Sequence, residues 1–429
     1  MKTGMALQQS YRCRTMLLVA WLLTGCSLLA RADAALLLEE PYGHFGAFTA
    51  TGHAAVYLTR VCADSPTVLR RCEEGEAGVV IGRYNKIAGR DWLAIPLIPY
   101  LYAVEEADEI PLFANPKIVA FLRNQYRKNN LEAVAPDDPT REVPDGNWTQ
   151  LVGAAYDRTI YGFEIETTPE QDDNFIREYN SRSNQSHFNL LAHNCADFAA
   201  GVMNFYYPHT LHRNLIADIG ITTPKQISKL LVKFAAHHPD LQFSSFEVPQ
   251  VPGTMPRSTP VHGVVESVLK AKKYLLPVAV LHPIVTGCLA AAYVGDGRFD
   301  PKRHAMILES GRDLEPPLPT MARRDYLNEL KSLPARDAKK WVVLQAAADP
   351  EFDPDGRPVL QMRVGDNFVA LGISRDNILN TSPALARELL TARLQMELRR
   401  RGDARVSEVD VVSDWKLLHQ LMPSDKALN

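Results

Sequence analysis

The hydrophobic and polar positions in the first half of the chain follow strand and helix periods in turn. Residues 46–58, 78–84 and 159–166 have the apolar runs or alternation that are typical of β-strands. Residues 92–102 form a longer apolar run that contains two prolines, which indicates an edge strand or a bend. The first half of the chain is therefore predicted to contain a sheet.

Helix starts between these strands carry capping residues. Asn115 precedes a proline and an apolar stripe of helical spacing, so it is predicted to cap a helix. Thr168 with Gln171 forms a capping box, and Thr223 with Gln226 repeats the same pattern. The mixture of strands and capped helices predicts an α+β fold.

The pattern also divides the chain. Residues 35–245 form one candidate domain, and the Pro-rich residues 246–262 indicate a linker. Residues 263–299 form an apolar helical segment, in which residues 274–294 are long enough to span a bilayer. A membrane span and a buried core segment both remain open, because basic residues flank this stretch on both sides. Residues 300–429 are predicted to be mostly helical.

Two features stand out in this C-terminal region. Residues 359–373 are predicted to form a hairpin that turns at a Gly-Asp pair. Residues 382–401 are predicted to form a long amphipathic helix that ends before a glycine.

The first 34 residues resemble an export signal. Basic residues precede an apolar stretch at residues 16–29, and small residues before Ala35 provide an A-x-A cleavage site after Ala34. Leu23-Thr-Gly-Cys26 also resembles a bacterial lipobox, in which Cys26 would be lipidated and become the mature N-terminus. An uncleaved N-terminal anchor is the third alternative. Each of them predicts export to the periplasm or cell envelope.

Composition and charge exclude some classes of partner and cofactor. The 429 residues are 46% hydrophobic and 23% charged, with a formal net charge of −3, so a nucleic-acid partner is not expected. The chain has no phosphate-binding glycine loop and no zinc-type ligand spacing, so neither a cofactor nor a metal is expected. Cys62 and Cys72 flank a short polar turn, which fits a local disulfide in an exported protein; two buried thiols are the alternative.

Cys195 is the strongest candidate for chemistry. Asn194 caps a helix whose apolar positions repeat at helical spacing, so the thiol is predicted to lie in the first helical turn. The N–H groups of a helix start favour a thiolate and can hold an oxyanion. A buried structural cysteine would show the same spacing and needs no reactivity.

His53 is the candidate general base, because it begins a short apolar strand and has small neighbours that leave room for a ligand. A half-buried structural histidine is the alternative interpretation. His44 lies nine residues earlier and could be a rival base or a third member of the site. His193 is adjacent to the thiol in sequence and could line a pocket, but a residue at such a junction is expected to point elsewhere.

Taken together, a histidine on a strand followed by a strand, a capped helix and an Asn-Cys-x-x-Phe helix start resembles a known family. This is the circularly permuted branch of the NlpC-type, papain-like cysteine hydrolases, which includes lecithin–retinol acyltransferase-like proteins and periplasmic domains of the Lnb N-terminal type. The resemblance covers about residues 40–210. It implies a papain-like core of antiparallel strands, with Cys195 as nucleophile and His53 as base.

The resemblance also implies a third polar group that orients the histidine. The sequence does not place it, although Arg83, Asn85 and His44 are weak candidates. The function expected from the resemblance is an exported thiol hydrolase or acyltransferase, acting on an amide or ester in peptides or lipids of the bacterial cell envelope, with membrane association as a further expectation. The alternative is a catalytically inactive binding or scaffold protein with the same fold.

Overall fold

The structure is a computed structural model. It describes residues 33–43, 50–111, 114–141, 143–185, 188–251, 253–303, 305–307, 320–332, 347–354, 357–364 and 367–372, with residues 374, 386 and 391. Cys26, His44 and most of the helix predicted at residues 382–401 lie outside the described residues.

Strands and helices are mixed along the described chain, which is an α+β fold as predicted. The strands are β1 Asp33–Glu39, β2 His53–Leu58, β3 Val61–Ser65, β4 Val68–Arg71, β5 Val79–Gly82, β6 Leu93–Pro96, β7 Ile160–Glu166, β8 Ser244–Val248, β9 Met306–Ile307, β10 Asp349–Phe352, β11 Pro358–Val364 and β12 Asn367–Gly372. The α-helices are α1 Leu97–Tyr102, α2 Pro116–Asn130, α3 Ala154–Asp157, α4 Pro169–Ser181, α5 Cys195–Tyr206, α6 Pro224–Ala235, α7 Val264–Lys270, α8 Lys272–Leu281, α9 Pro283–Ala292 and α10 Thr320–Ser332.

The main sheet is antiparallel in the order β6-β5-β2-β1-β7-β8, and β9 pairs in parallel at the β8 edge. β1 lies at the centre and pairs with β2 on one side and β7 on the other. Every residue of β1 is buried, which explains its unbroken apolar run Ala-Ala-Leu-Leu-Leu. The sequence analysis missed this strand because it overlaps the predicted signal boundary.

Two layers of helices cover the sheet. One layer contains α4, α5 and α6, which pack on the face formed by Leu36, Leu38, Ala54 and Val56. The other layer contains α1, α2 and α3, which pack on the opposite face beside Leu37. Successive residues of a strand point to opposite faces, so each buried strand contributes to both layers.

The capped helices begin where the sequence predicts. The Asn115 side chain accepts a hydrogen bond from the N–H of Ile118, and Thr168 and Gln171 form a complete capping box. The apolar run at residues 92–102 differs from a single edge strand, because β6 ends at Pro96 and α1 begins at the next residue. Proline fixes its own φ and is well suited to such a junction.

The predicted disulfide between Cys62 and Cys72 is present. It joins β3 to the residue that follows β4, and these two strands form a separate antiparallel pair. The bond therefore closes a local loop rather than linking distant parts of the chain.

Residues 246–262, expected to be a linker, pack along the body of the domain. β8 extends into this range and pairs with β7. The N–H groups of Val251 and Thr254 donate to backbone oxygens of Ala155 and Ala114 at 2.8 Å. Proline-rich chain can run extended against a sheet edge because missing N–H groups are tolerated there, so the described fold continues past residue 245.

The apolar residues 274–294 do not form one helix. α8 ends at Leu281 and α9 begins at Pro283, with His282 between them. Over the part of the chain that the structure describes, no helix has the length and apolarity needed to cross a bilayer. Further along, β10, β11 and β12 form a three-stranded antiparallel sheet, in which β11 and β12 pair from Val359–Gly372 to Val364–Asn367.

Candidate active site at the start of α5

Cys195 is the first residue of α5, and Asn194 is its cap. The Asn194 Oδ1 atom accepts from the N–H of Asp197 at 3.0 Å, and an Asp197 carboxylate oxygen accepts from the N–H of Asn194 at 3.1 Å. The Asn194 amide also donates to the backbone oxygens of Leu190 and Thr222, both at 3.0 Å. Because both amide hydrogens are used inside the protein, Asn194 holds the helix start and has no donor left for a substrate.

The Cys195 thiol lies where α5 meets β2, and it is only 9% exposed. Burial raises the pKa of this thiol to about 11, although hydrogen bonds from the backbone of Ala54, Ala196 and Cys195 itself act in the opposite direction. The helix start alone would favour a thiolate at Cys195, whereas burial acts against it. Desolvation of a buried charge outweighs the attraction of the N–H groups.

His53 begins β2, and Gly52 fixes how the chain enters this strand. Gly52 has φ of +71°, and a Cβ atom added to it would lie 2.1 Å from the backbone oxygen of Glu39. The His53 ring stacks on Tyr84 with 5.0 Å between ring centroids. Burial lowers the pKa of His53 to about 4, with Arg158 acting in the same direction and Glu39 against it.

Cys195 and His53 approach the same end of β2 from different sides. His53 alternates with Ala55, which belongs to the face covered by α1 and α3, whereas α5 packs on the face of Ala54. The thiol sulfur reaches the backbone N–H of Ala54, next to His53 in the chain. Within the described part of the chain, the Nε2 atom of His53 is buried and has no hydrogen-bond partner.

Glu39 is a candidate site residue that the sequence did not indicate. It lies directly opposite His53 in the pairing of β1 with β2, and it is 1% exposed. The Tyr100 hydroxyl donates to its Oε1 atom, and the Arg158 Nη1 atom lies 2.9 Å from its Oε2 atom. Together with Tyr84, these side chains form a buried polar group that we call the Glu39 cluster: Glu39, His53, Tyr84, Tyr100 and Arg158.

The sequence carried only a weak signal for Glu39. Glu39 and Glu40 end an apolar run, but they follow a predicted signal sequence and have no spacing that ties them to His53. Strand pairing alone brings Glu39 opposite His53, and a charged partner there favours the protonated imidazole. Glu39 is therefore a buried carboxylate opposite His53 that the sequence did not indicate.

The other sequence candidates for that third group lie elsewhere. Arg83 is bound to Asp91 at 2.8 Å and lies over the Phe198 ring, on the α5 side of the sheet. Asn85 is exposed. His44 lies outside the described residues. The structure thus brings neither Arg83 nor Asn85 into the Glu39 cluster.

A cleft opens on the α5 side, with about 630 Å³ of empty space. His193 lines this cleft, and its Nε2 atom lies 3.5 Å from an Asp91 oxygen. The remaining lining residues combine charge with aromatic surface: Arg83, Trp92, Tyr179, Arg182, Ser183, Asp197, Phe198 and Gly201. Two of these, Asp197 and Phe198, belong to the first turns of α5, so the cleft lies beside the helix start that carries Cys195.

Comparisons with known proteins give little to add to this geometry. No protein-family model matches the sequence, and no match is found among curated proteins. Among solved structures, the crystal structure of the type VI secretion system effector TseH aligns with 51% of this chain and 94% of its own, at 14% identity and a TM-score of 0.24. A likeness of this degree carries no argument about the chain, so the site must be judged from its own residues.

Proposed function

We propose that this chain is an exported thiol hydrolase or acyltransferase with a papain-like core, in which Cys195 is the nucleophile and His53 the base. The observation that carries the proposal is the position of the thiol at the start of a capped helix, against the N–H of the residue next to His53. An unpartnered buried imidazole nitrogen and an opposed carboxylate complete the set of groups that such a site needs.

The reaction would begin from a neutral thiol and a neutral imidazole, because burial raises the pKa of the thiol and lowers the pKa of the imidazole. His53 would take the thiol proton as the sulfur attacks a carbonyl carbon, and the imidazolium would be stabilised by Glu39. N–H groups at the helix start would hold the oxyanion. Collapse would expel an amine or alcohol that takes the proton from His53, and water or a second acceptor would then release the acyl group from sulfur.

The proposed substrate is an amide or ester of the cell envelope, in a peptide or a lipid. The cleft beside α5 is lined by aromatic side chains and by charges of both signs, with Arg83 and Arg182 beside Asp91 and Asp197, so its lining does not select the charge of the acyl compound. The cell-envelope location of the substrate is inferred from the family resemblance, whereas the residues of the site support only the acyl-transfer chemistry.

We also propose export to the periplasm or cell envelope. The Cys62–Cys72 disulfide supports this location, since such bonds persist in oxidising compartments. Cleavage after Ala34 would remove the first two residues of β1, where Asp33 and Ala34 pair with Glu166 and Ile165. Cleavage two residues earlier would leave β1 whole, and lipidation at Cys26 would leave it whole too. Mass spectrometry of the exported chain would distinguish these N-termini.

The second candidate function is a binding or scaffold protein without turnover. The observation that favours it is the geometry of His53, whose ring stacks on Tyr84 with 5.0 Å between ring centroids rather than hydrogen-bonding the thiol. A buried cysteine and a buried histidine can both serve packing alone.

Acylation by an activated ester tests the two functions against each other. In the wild-type protein we expect an acyl adduct on Cys195, and we expect its rate of formation to fall about 100-fold or more in His53→Ala, because a general base is worth that much. His237→Ala is the matched control, since it removes an exposed imidazole just beyond α6 that does not line the cleft, and it should leave the rate nearly unchanged. Equal rates in wild type and His53→Ala would favour the binding protein.

A further inference from the structure

α8, the turn at His282 and α9 form a pair of packed helices that we call the apolar hairpin, residues 272–292. Many of its apolar side chains are exposed. Leu276, Leu281 and Ile284 are 69%, 72% and 81% exposed, and α9 has no buried residue at all. A surface of this kind marks an interaction site, because water does not favour so much contiguous apolar area.

We propose that the apolar hairpin docks this protein on an anionic lipid bilayer by inserting into one leaflet. The proposal does not depend on whether Cys195 is catalytic.

The first argument is the distribution of apolar residues around α9. Its sequence, Pro-Ile-Val-Thr-Gly-Cys-Leu-Ala-Ala-Ala, contains no charged residue on any face. A helix that is apolar all round must be surrounded by apolar material. A protein partner would cover one face of the hairpin, whereas hydrocarbon surrounds it.

The second argument is length. Each helix has ten residues and is therefore about 15 Å long, which is half of the roughly 30 Å hydrocarbon core of a bilayer. Each helix is too short to cross, but the pair can enter one leaflet and return. Exposure is greatest around the turn, where Leu281 and Ile284 would lie deepest.

The third argument is that both ends of the hairpin are anchored at the same place on the protein. Glu266 of α7 is buried and binds Lys225 of α6 at 2.6 Å. The same carboxylate accepts from Lys270, just before α8, and from the Tyr293 hydroxyl, just after α9. Since both ends of the hairpin meet at Glu266, its flanking residues lie on one side of the membrane.

This arrangement explains the basic residues on both flanks, which conflict with the orientation of a single span. Lys272 and Lys273 begin α8, and Arg298 is exposed beyond α9. On that flank the Asp296 carboxylate is paired with Lys229 at 2.5 Å, and Asp300 is followed by Lys302 and Arg303. With both flanks at one interface, Lys272, Lys273 and Arg298 would meet anionic headgroups together.

A neighbouring loop extends the apolar surface. Leu215, Ile216 and Ile219 are 80%, 65% and 61% exposed. The loop is held against the hairpin base, because the Asn214 side chain donates to Asp296 and the N–H of Val265 donates to the Ala217 oxygen at 3.1 Å. These residues would rest in the headgroup region when the hairpin is inserted.

The loop also connects the docking surface to α5. Arg213 donates to the Ala192 oxygen at 3.0 Å and to Asp197 at 2.9 Å, and Thr222 donates to the same carboxylate. Leu190 and Leu191, exposed by 49% and 60%, precede the helix start. Docking would therefore hold the Cys195 end of α5 close to the lipid surface.

Cys288 offers a local probe, because it lies on α9 and its side chain is exposed. The full chain with Cys13→Ser, Cys26→Ser and Cys195→Ser leaves this thiol and the Cys62–Cys72 pair, so an environment-sensitive fluorophore can be attached at Cys288 alone. Vesicles of phosphatidylglycerol with phosphatidylcholine should increase its emission, and lipids with a quencher on the acyl chain should then reduce it. The readout reports hairpin insertion even if the N-terminal segment also binds lipid.

Leu281→Glu with Ile284→Glu should weaken this insertion about tenfold or more, because charges at that depth are costly in hydrocarbon. Met321→Glu on α10, where Met321 is 76% exposed, is the matched control and should not change it. Lys272→Glu with Lys273→Glu should lower the ratio of binding to anionic over neutral vesicles about tenfold. If the emission of the Cys288 probe does not change with any vesicle, the proposal is overturned. It is also overturned if the emission rises with protein concentration in the absence of lipid, because a second copy of the chain would then cover the hairpin.

Discussion

The Glu39 cluster buries charged residues, whereas the apolar hairpin exposes apolar ones, and both arrangements are the opposite of what is usual in a folded protein. In the cluster, a carboxylate and a guanidinium lie buried, at 1% and 5% exposure. In the hairpin, the side chains of Leu276, Leu281 and Ile284 are exposed by more than two thirds. A buried charge or an exposed apolar patch carries more information about function than a residue in its usual place. Both regions are therefore expected to serve binding or chemistry, but they should respond oppositely to substitution.

The largest effect on stability is expected from Glu39→Gln. This change leaves the Arg158 guanidinium buried without its counter-charge, so the free energy of unfolding should fall by about 3–5 kcal/mol. Urea denaturation measures it. Adding Arg158→Met to Glu39→Gln should recover a large part of the loss, because no unpaired charge then remains. A loss below about 1 kcal/mol in the single variant would contradict the buried ion pair.

Acid should reveal the burial of His53. The pKa of His53 is lowered from 6.5 to about 4, so the unfolded chain takes up a proton at a higher pH than the folded chain. This contribution to stability is present above pH 6.5 and is lost as the pH falls towards 4, by about 3 kcal/mol in total. Between pH 6.5 and 4, the free energy of unfolding should fall less steeply with falling pH in His53→Gln than in the wild-type protein. Identical slopes would show that His53 is solvated.

Gly52→Ala should lower the free energy of unfolding by about 2 kcal/mol, because alanine strains the backbone at this positive φ and its Cβ atom would clash with the Glu39 oxygen. Gly89→Ala is the control, because Gly89 has a similar φ of +65° and open space around its Cβ position. It should cost about 1 kcal/mol. Thermal unfolding distinguishes the two variants, and equal losses would mean that the Glu39 backbone can move away.

The smallest effect is expected at the hairpin. Leu281→Glu with Ile284→Glu should change the free energy of unfolding by no more than about 0.5 kcal/mol, since exposed side chains make few contacts in the folded protein. Urea denaturation without lipid is the measurement. A loss of several kcal/mol would show that the hairpin is packed against the protein, which would remove the contrast with the Glu39 cluster.

The reactivity of Cys195 sharpens the contrast further, because Cys195 is buried and Cys288 is exposed. With a pKa of about 11, the Cys195 thiol should be alkylated ever faster as the pH rises through 9 and 10. Peptide mass spectrometry follows both cysteines in one sample, with Cys288 as the accessible reference. A rate at Cys195 that levels off below pH 9 would mean that the site opens or rearranges in solution.

Predictions from the sequence were most accurate where short-range contacts decide the structure. Asn194 and Thr168 cap their helices through backbone groups three residues away, so their signals are visible in the sequence itself. The Cys62–Cys72 disulfide spans ten residues and is similarly local. Residues 92–102 were harder to interpret, because an apolar run with prolines fits both a strand and a helix.

The candidate site was only partly predictable. Cys195 and His53 could be proposed from their local patterns, but Glu39 could not, because its relation to His53 depends on the register of two strands. The thiol pKa was expected to fall on the evidence of the helix start, yet burial beneath the surrounding structure raises it. Sequence periodicity indicates that a residue is buried, but it does not reveal how completely its charged form is desolvated.

The sequence by itself determined the α+β class, the helix starts, the local disulfide and the place of Cys195 in the first turn of a helix, because each depends on spacing within a few residues. Only the tertiary structure decided that Glu39 faces His53, that burial disfavours the charged forms of the Cys195 thiol and the His53 imidazole, and that the apolar stretch turns back at His282 with Leu281 and Ile284 exposed. These properties depend on contacts between distant segments, and strand register and burial are set by all of the neighbours together.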